Sequence, residues 1–114
     1  MGRQSAAHEL VETVRKFLGH VEGYRIERAV VFGSRVRGDA LAHSGLDVIL
    51  VSPDFAGLPF PDRPSEIYRW YDFWPEDYPL EVLCYTPAEF DRKKGQIGLV
   101  RDAVEYGLEA VSGR

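Results

Sequence analysis

The segment from Val31 to Val51 constrains this chain most, because it joins two apolar strands through a turn suited to close approach by an anion. The first strand runs directly into Gly33-Ser34, and a short basic turn follows at residues 35–37. Glycine has no side chain to block a ligand, and Ser34 offers a hydroxyl and an N–H at a helix start. We predict a phosphate-binding turn here, and an N-cap role for Ser34 would use the same geometry.

The second strand, Leu46 to Val51, carries an acidic residue, Asp47, at its second position. A carboxylate inside an apolar strand is costly unless it is paired or lies at the strand end. At the edge of a sheet, such a carboxylate is placed where a phosphate-bound metal ion would sit. Side chains alternate along a strand, so residue 45 shares a face with Asp47, but that residue is Gly45. The pattern predicts a metal-dependent phosphoryl site that lacks one carboxylate.

These residues resemble the minimal nucleotidyltransferases, small single-domain relatives of the DNA polymerase beta superfamily. The family pattern is Gly-Ser, a spacer with a short helix, Asp-x-Asp on a strand, and a third acidic residue on a neighbouring strand. Gly33-Ser34 matches the first part, and Arg35-Val36-Arg37-Gly38-Asp39 resembles the usual continuation. Asp47 matches the second Asp, while Gly45 occupies the position of the first. Glu81, in a later apolar strand, stands where the third acid is expected.

The resemblance implies a nucleotidyltransferase fold of the α/β (α+β) class, with a small mixed or antiparallel sheet and flanking helices. It implies binding of ATP or another nucleoside triphosphate by residues of the first turn, namely Gly33, Ser34, Arg35 and Arg37. It also implies that Asp47 and Glu81 are both the catalytic residues and the ligands of Mg²⁺. A nucleotidyl group would then be transferred to an acceptor.

Gly45 weakens the expectation of turnover more than the expectation of binding. Magnesium is often held by one or two carboxylates plus substrate phosphates, so Asp47 and Glu81 suffice for a nucleotide-bound ion. Catalysis by two metal ions about 4 Å apart is harder to assemble without the first acid. Two functions therefore remain open: a nucleotidyltransferase whose activity is weakened or lost, and a non-catalytic interaction module that retains the fold. A loop-to-strand glycine is the simplest interpretation of Gly45 taken alone.

The resemblance also bears on partners. Family members of this size are similar to the antitoxin halves of two-gene modules, in which a helical partner protein encoded nearby is bound and in some cases nucleotidylated. A protein side chain is the acceptor in that case. Tyr68 and Phe73 fall outside the apolar stripe of the third predicted helix, which raises the hypothesis of a homodimer or partner surface there.

Length and charge set further limits. The 114 residues suit a single domain spanning 1–114, and the net charge of −4 disfavours general nucleic-acid binding. The single cysteine, Cys84, lies on the opposite face of its strand from Glu81 and is interpreted as a packed thiol.

No apolar run is long enough for a signal peptide or a membrane span, which predicts a cytoplasmic protein. His43, two residues before Gly45, is interpreted as a solvated loop residue, with a phosphate or metal contact as the alternative.

Apolar periodicity and capping signals predict the elements. Strands are expected at Arg28–Phe32, Leu46–Val51 and Leu80–Tyr85. Helices are expected at about 5–18, near Arg35, and from about Pro64, the last with a core stripe of Ile67, Trp70, Tyr71 and Trp74. A fourth helix is expected to begin at the capping box Thr86-Pro87-Ala88-Glu89. A final helix is expected after Gly95 and as far as Val111. The proline-rich segment 53–64 is expected to be a loop that cannot continue the sheet.

Overall fold

Four strands form one mixed sheet in the computed structural model, which describes residues 3–41 and 44–112. The strands are β1 (Arg28–Phe32), β2 (Leu46–Val51), β3 (Leu80–Tyr85) and β4 (Leu108–Ser112), in the spatial order β3-β2-β1-β4. β1 is antiparallel to β2 and β4, whereas β2 and β3 are parallel. The predicted α/β (α+β) fold with a small mixed sheet is confirmed.

Helices cover both faces of the sheet. They are α1 (Arg3–Leu18), α2 (Ser34–Arg37), α3 (Arg63–Tyr68), α4 (Pro87–Lys94) and α5 (Leu99–Tyr106). One core cluster joins α1 and α3 to the face that carries Val48, and a second joins α4 and α5 to the face that carries Ile49. Because side chains alternate along β2, Asp47 projects from the α4 and α5 face.

Cys84 lies in the α1 and α3 core, as predicted for a packed thiol. Burial raises the pKa of its thiol to about 12, and the nearby positive charge of Arg63 only partly opposes this. The thiolate is the reactive form of cysteine, so this side chain is inert at neutral pH. Among the described residues, no helix combines the length and apolar character that crossing a bilayer requires.

The capping box at the start of α4 is confirmed and is joined to a buried arginine. The Thr86 hydroxyl accepts a hydrogen bond from the Glu89 N–H, and the Glu89 carboxylate accepts one from the Thr86 N–H at 2.9 Å. The same carboxylate accepts hydrogen bonds from both terminal nitrogens of Arg63, at 2.6 and 3.2 Å. Arg63 is 5% exposed and also donates to the carbonyls of Leu58 and Cys84. Glu89 therefore ties α4 to α3.

The prediction that the last helix continues to Val111 is wrong. α5 ends at Tyr106, and the chain then forms β4 against the free edge of β1. Gly107 permits this change, since a Cβ there would lie 2.5 Å from the Ala103 carbonyl oxygen and 2.6 Å from that of Val31. The apolar spacing of the segment fits a helix or a strand, and the open edge of β1 decides between them.

The aromatic segment after Pro64 is helical only as far as Tyr68, and a 3₁₀ turn follows at Tyr71–Phe73. The predicted core stripe is wrong at Tyr71, which is 38% exposed, whereas Ile67 and Trp74 are buried. The Tyr68 and Tyr71 hydroxyls accept hydrogen bonds from the backbone N–H groups of residues 82 and 80 at 3.2 and 3.3 Å. These tyrosines therefore cover the outer edge of β3, where unpaired N–H groups would otherwise invite another strand.

Candidate functional site

The site lies at the end of the sheet where β1 passes into α2. Phe32, the last residue of β1, pairs with Asp47, and Asp47 pairs with Glu81 of β3. Partners in register project to the same side of a sheet, so the two carboxylates are neighbours. The sheet register therefore brings Asp47 and Glu81 beside the turn that contains Gly33 and Ser34.

A cavity of about 480 Å³ opens at this end of the sheet. It has the size of a small-molecule site. Its lining residues are Phe32, Gly33, Ser34, Val36, Arg37, Asp47, Leu99, Asp102, Ala103 and Tyr106. Four of the six residues expected at the site, Gly33, Ser34, Arg37 and Asp47, thus share one cavity, with Glu81 next to Asp47.

Two expected site residues, Arg35 and Glu81, do not line this cavity; Glu81 lies beside Asp47, whereas Arg35 lies elsewhere. Its guanidinium lies over the ring of Tyr78, 3.7 Å from the ring centroid, and its Nε donates to the Ser44 carbonyl at 2.8 Å. It lines a different cavity, which also includes Glu9 and Glu76. Arg37 instead borders the candidate site, and its Nε lies 3.4 Å from the Asp39 carboxylate. His43 lies outside the described residues.

The Gly33 backbone has an unusual conformation and lies next to the Asp47 carboxylate. Its φ of +96° and ψ of −164° lie in a region that residues with a side chain rarely adopt. A Cβ at this position would overlap Oδ2 of Asp47. Glycine is therefore required both for the turn and for the position of the carboxylate.

Gly45 is crowded by the Glu81 side chain and by the backbone carbonyl of Pro79. A Cβ on Gly45 would lie 3.2 Å from Cδ and Oε2 of Glu81 and 3.0 Å from the Pro79 carbonyl oxygen. The Gly45 backbone does not have a positive φ, so a side chain there would require small shifts of Glu81 and of the Pro79 carbonyl but no strained backbone. The Glu81 carboxylate thus lies beside the place that an acidic side chain at residue 45 would occupy.

Asp47 and Glu81 form a close pair of carboxyl groups. Burial, together with a hydrogen bond to Glu81 and the negative charge of Glu81, raises the pKa of Asp47 to about 6, and Arg37 partly opposes this. A cation between the carboxylates would offset their repulsion, and oxygen ligands of this kind suit Mg²⁺. Among residues 3–41 and 44–112, no group of three or more His, Cys, Asp or Glu side chains is placed to hold a metal ion. The donor set fits one ion held by two carboxylates.

We expect Asp47→Asn to stabilise the protein by about 1 kcal/mol at pH 7 when divalent cations are removed, after allowance for partial exposure. The folded-state pKa is raised, so the ionised carboxylate costs stability above about pH 6, and the cost fades as pH falls towards the ordinary value of 3.8. Urea unfolding of both proteins with EDTA at pH 7.5 and 4 measures this. If Asp47→Asn changes the free energy of unfolding equally at the two pH values, or lowers it at pH 7.5, the proposed pairing of Asp47 with Glu81 is wrong.

The wall formed by α5 was not anticipated from the sequence. Leu99, Asp102, Ala103 and Tyr106 line the cavity at the spacing of one helix face. The sequence feature that could have indicated this wall is that Leu99 and Tyr106 fall outside the apolar stripe that contains Val100. That signal indicates an exposed face, and only the packing of α5 on the sheet directs the face towards Asp47.

Comparison with known proteins agrees with the fold. The sequence matches the profile of the nucleotidyltransferase domain over residues 11–108. The structure is similar to that of a candidate nucleotidyltransferase from Sulfolobus solfataricus, with 21% identity and a TM-score of 0.57 over 79% of this chain and 78% of the other. No curated protein matches the sequence. The structural likeness shows the fold, and the profile match over most of the chain shows that this protein belongs to the nucleotidyltransferase domain family.

Proposed function

We propose that this protein binds a nucleoside triphosphate together with Mg²⁺ and that its transfer of the nucleotidyl group to an acceptor is slow. One observation carries the proposal: a cavity of about 480 Å³ joins Gly33, Ser34 and Arg37 to Asp47, which is paired with Glu81. Hydrogen-bond donors, a positive charge and the Asp47 carboxylate thus surround a space that suits a small phosphorylated ligand.

The residues of the first turn would hold the phosphates. Gly33 lets the backbone approach phosphate oxygens, because no Cβ stands in the way. Ser34 offers its hydroxyl and N–H at the cavity wall, and Arg37 brings a guanidinium that offsets phosphate charge. Arg35, held over Tyr78, would support the turn rather than contact the ligand.

Asp47 and Glu81 would hold the magnesium ion. When bound, Mg²⁺ supplies positive charge that offsets the negative charge of the triphosphate and of its leaving group. The two carboxylates position that charge at the end of the sheet. Residue 45 has no side chain to accept the proton of an attacking hydroxyl, so we expect binding to be retained better than turnover.

A protein side chain is the acceptor we propose. The resemblance to antitoxin halves of two-gene modules supports a helical partner protein in this role. The net charge of −4 does not suit a nucleic-acid acceptor, which needs a basic surface. The absence of an acid at Gly45 favours, as the second candidate, an interaction module that binds such a partner without chemistry.

Calorimetric titration of ATP with Mg²⁺ tests the proposal. We expect saturable, Mg²⁺-dependent binding to the natural protein and binding about tenfold tighter to Gly45→Asp, because a third carboxylate strengthens the ion site. Gly45→Ala is the matched control, since it adds the same Cβ beside Glu81 at 3.2 Å but no oxygen ligand. We expect no gain in affinity for this control.

Two results would count against the proposal. If the natural protein and folded Gly45→Asp both fail to bind ATP with Mg²⁺, the interaction module is the better explanation. If Gly45→Asp and Gly45→Ala bind with the same affinity, the carboxylate at residue 45 does not face the ion, and the assignment of Asp47 and Glu81 as its ligands is wrong. Circular dichroism of each variant establishes that it is folded.

A further inference from the structure

One face of α5 forms a wall of the cavity that the first turn also lines. Leu99, Asp102, Ala103 and Tyr106 lie at positions i, i+3, i+4 and i+7 and all line the cavity. Ala103 is buried against the sheet, whereas Leu99 is 51% and Tyr106 71% exposed. An apolar and an aromatic side chain are therefore presented to the space above Asp47.

Packing of the fold does not account for Tyr106. α5 is held on the sheet by Val100, Ala103 and Val104. Within residues 3–41 and 44–112, the Tyr106 ring stacks on no other ring and its hydroxyl makes no hydrogen bond. A large exposed aromatic ring at the edge of a concave polar site is a typical stacking surface for a planar ligand.

Charge divides the cavity into two halves. The half at the first turn carries Arg37 and Asp47, the carboxylate proposed to hold Mg²⁺, whereas the α5 half carries the carboxylate of Asp102. A triphosphate chain would be repelled by Asp102 and drawn towards the first turn. The α5 half suits an uncharged, planar group that donates hydrogen bonds.

We propose that the α5 face binds the nucleoside half of the ligand, with the base stacked on Tyr106 beside Leu99. The Asp102 carboxylate accepts a hydrogen bond from a donor group of the nucleoside. This inference rests on the proposed function and extends it, because it assigns recognition of the base to a helix outside the Gly33-Ser34 turn and the Asp47 strand. Phosphate binding and base binding are then separable.

Calorimetry with two ligands, Mg²⁺-ATP and Mg²⁺-tripolyphosphate, tests this separation. We expect the natural protein to bind ATP about tenfold more tightly than tripolyphosphate, the size of effect that stacking of one base gives. Tyr106→Ala should bind the two ligands with nearly equal affinity, and Tyr106→Phe should keep the preference. Glu105→Ala, an exposed neighbour that does not line the cavity, is the control and should behave as the natural protein does.

Each other outcome overturns the inference in a distinct way. If Tyr106→Ala keeps the preference for ATP, the base does not stack on Tyr106, and the proposed function stands. If Tyr106→Ala lowers the affinity for both ligands equally, Tyr106 supports the structure of the site and does not contact the base. If the natural protein binds neither ligand, the inference and the proposed function both fail.

Discussion

Replacing Glu89 with alanine is expected to lower the free energy of unfolding by about 3 kcal/mol at pH 7. The substitution removes the carboxylate that pairs with both terminal nitrogens of Arg63 and leaves a guanidinium that is 5% exposed without its counter-charge. It also removes half of the capping box at Thr86. The Leu58 and Cys84 carbonyls still accept hydrogen bonds from Arg63. The loss of stability is therefore smaller than for a buried charge with no remaining hydrogen-bond partner.

The effect of Glu89→Ala should depend on pH with a defined sign. Hydrogen bonds from Arg63 lower the pKa of Glu89 to about 2, from an ordinary value of 4.5. The stabilisation is therefore complete above about pH 4.5 and is lost as pH falls towards 2. Urea unfolding of both proteins at pH 7 and pH 3 should show a smaller difference at pH 3.

Asp91→Ala is the matched control for Glu89→Ala. Asp91 lies on the same helix and pairs with Lys94 at 3.1 Å, but both side chains are exposed. Its removal should cost less than about 0.5 kcal/mol, since exposed ion pairs contribute little. Equal losses for the two variants, or a Glu89→Ala loss that does not change with pH, would show that the buried pair does not hold α3 to α4.

Replacing Gly33 with alanine is expected to weaken Mg²⁺-ATP binding by at least about 30-fold and to destabilise the protein by about 3 kcal/mol. A Cβ would meet Asp47 Oδ2, so the carboxylate must leave the position from which we propose it holds the ion. The backbone of residue 33 also lies in a region that is essentially restricted to glycine. Calorimetry and urea unfolding of the variant measure the two effects.

Gly57→Ala separates backbone strain from contact with Asp47. Gly57 has a similar φ of +89°, but nothing lies within 4 Å of a Cβ placed on it. This control should lose about 1 kcal/mol of stability and none of its affinity for the nucleotide. If Gly33→Ala binds Mg²⁺-ATP as the control does, the Gly33 turn does not approach the ligand.

Prediction from the sequence succeeded where the deciding interactions are local. The capping box at Thr86 and Glu89 is confirmed, because its hydrogen bonds join residues three apart. The strand Leu46–Val51 is confirmed with the bounds that its apolar run indicates. The position of Asp47 at the end of that strand follows from the same local pattern.

Prediction failed where a distant part of the chain decides the outcome. The segment after Gly107 has apolar spacing that suits a helix, yet it forms β4 because β1 presents a free edge. Arg35 follows the Gly33-Ser34 turn in sequence, yet its guanidinium lies over the ring of Tyr78 and it lines a different cavity.

By itself, the sequence determined the class of fold, through its family resemblance, together with the glycine turn at Gly33 and the lack of a side chain at Gly45, which depend on residue type and short-range spacing. Only the tertiary structure decided that Glu81 lies beside Gly45 and that Tyr106 faces the same cavity as Ser34. These juxtapositions depend on sheet register and on how α5 packs across the sheet. Both are set by the burial of side chains far apart in the chain, which no local pattern encodes.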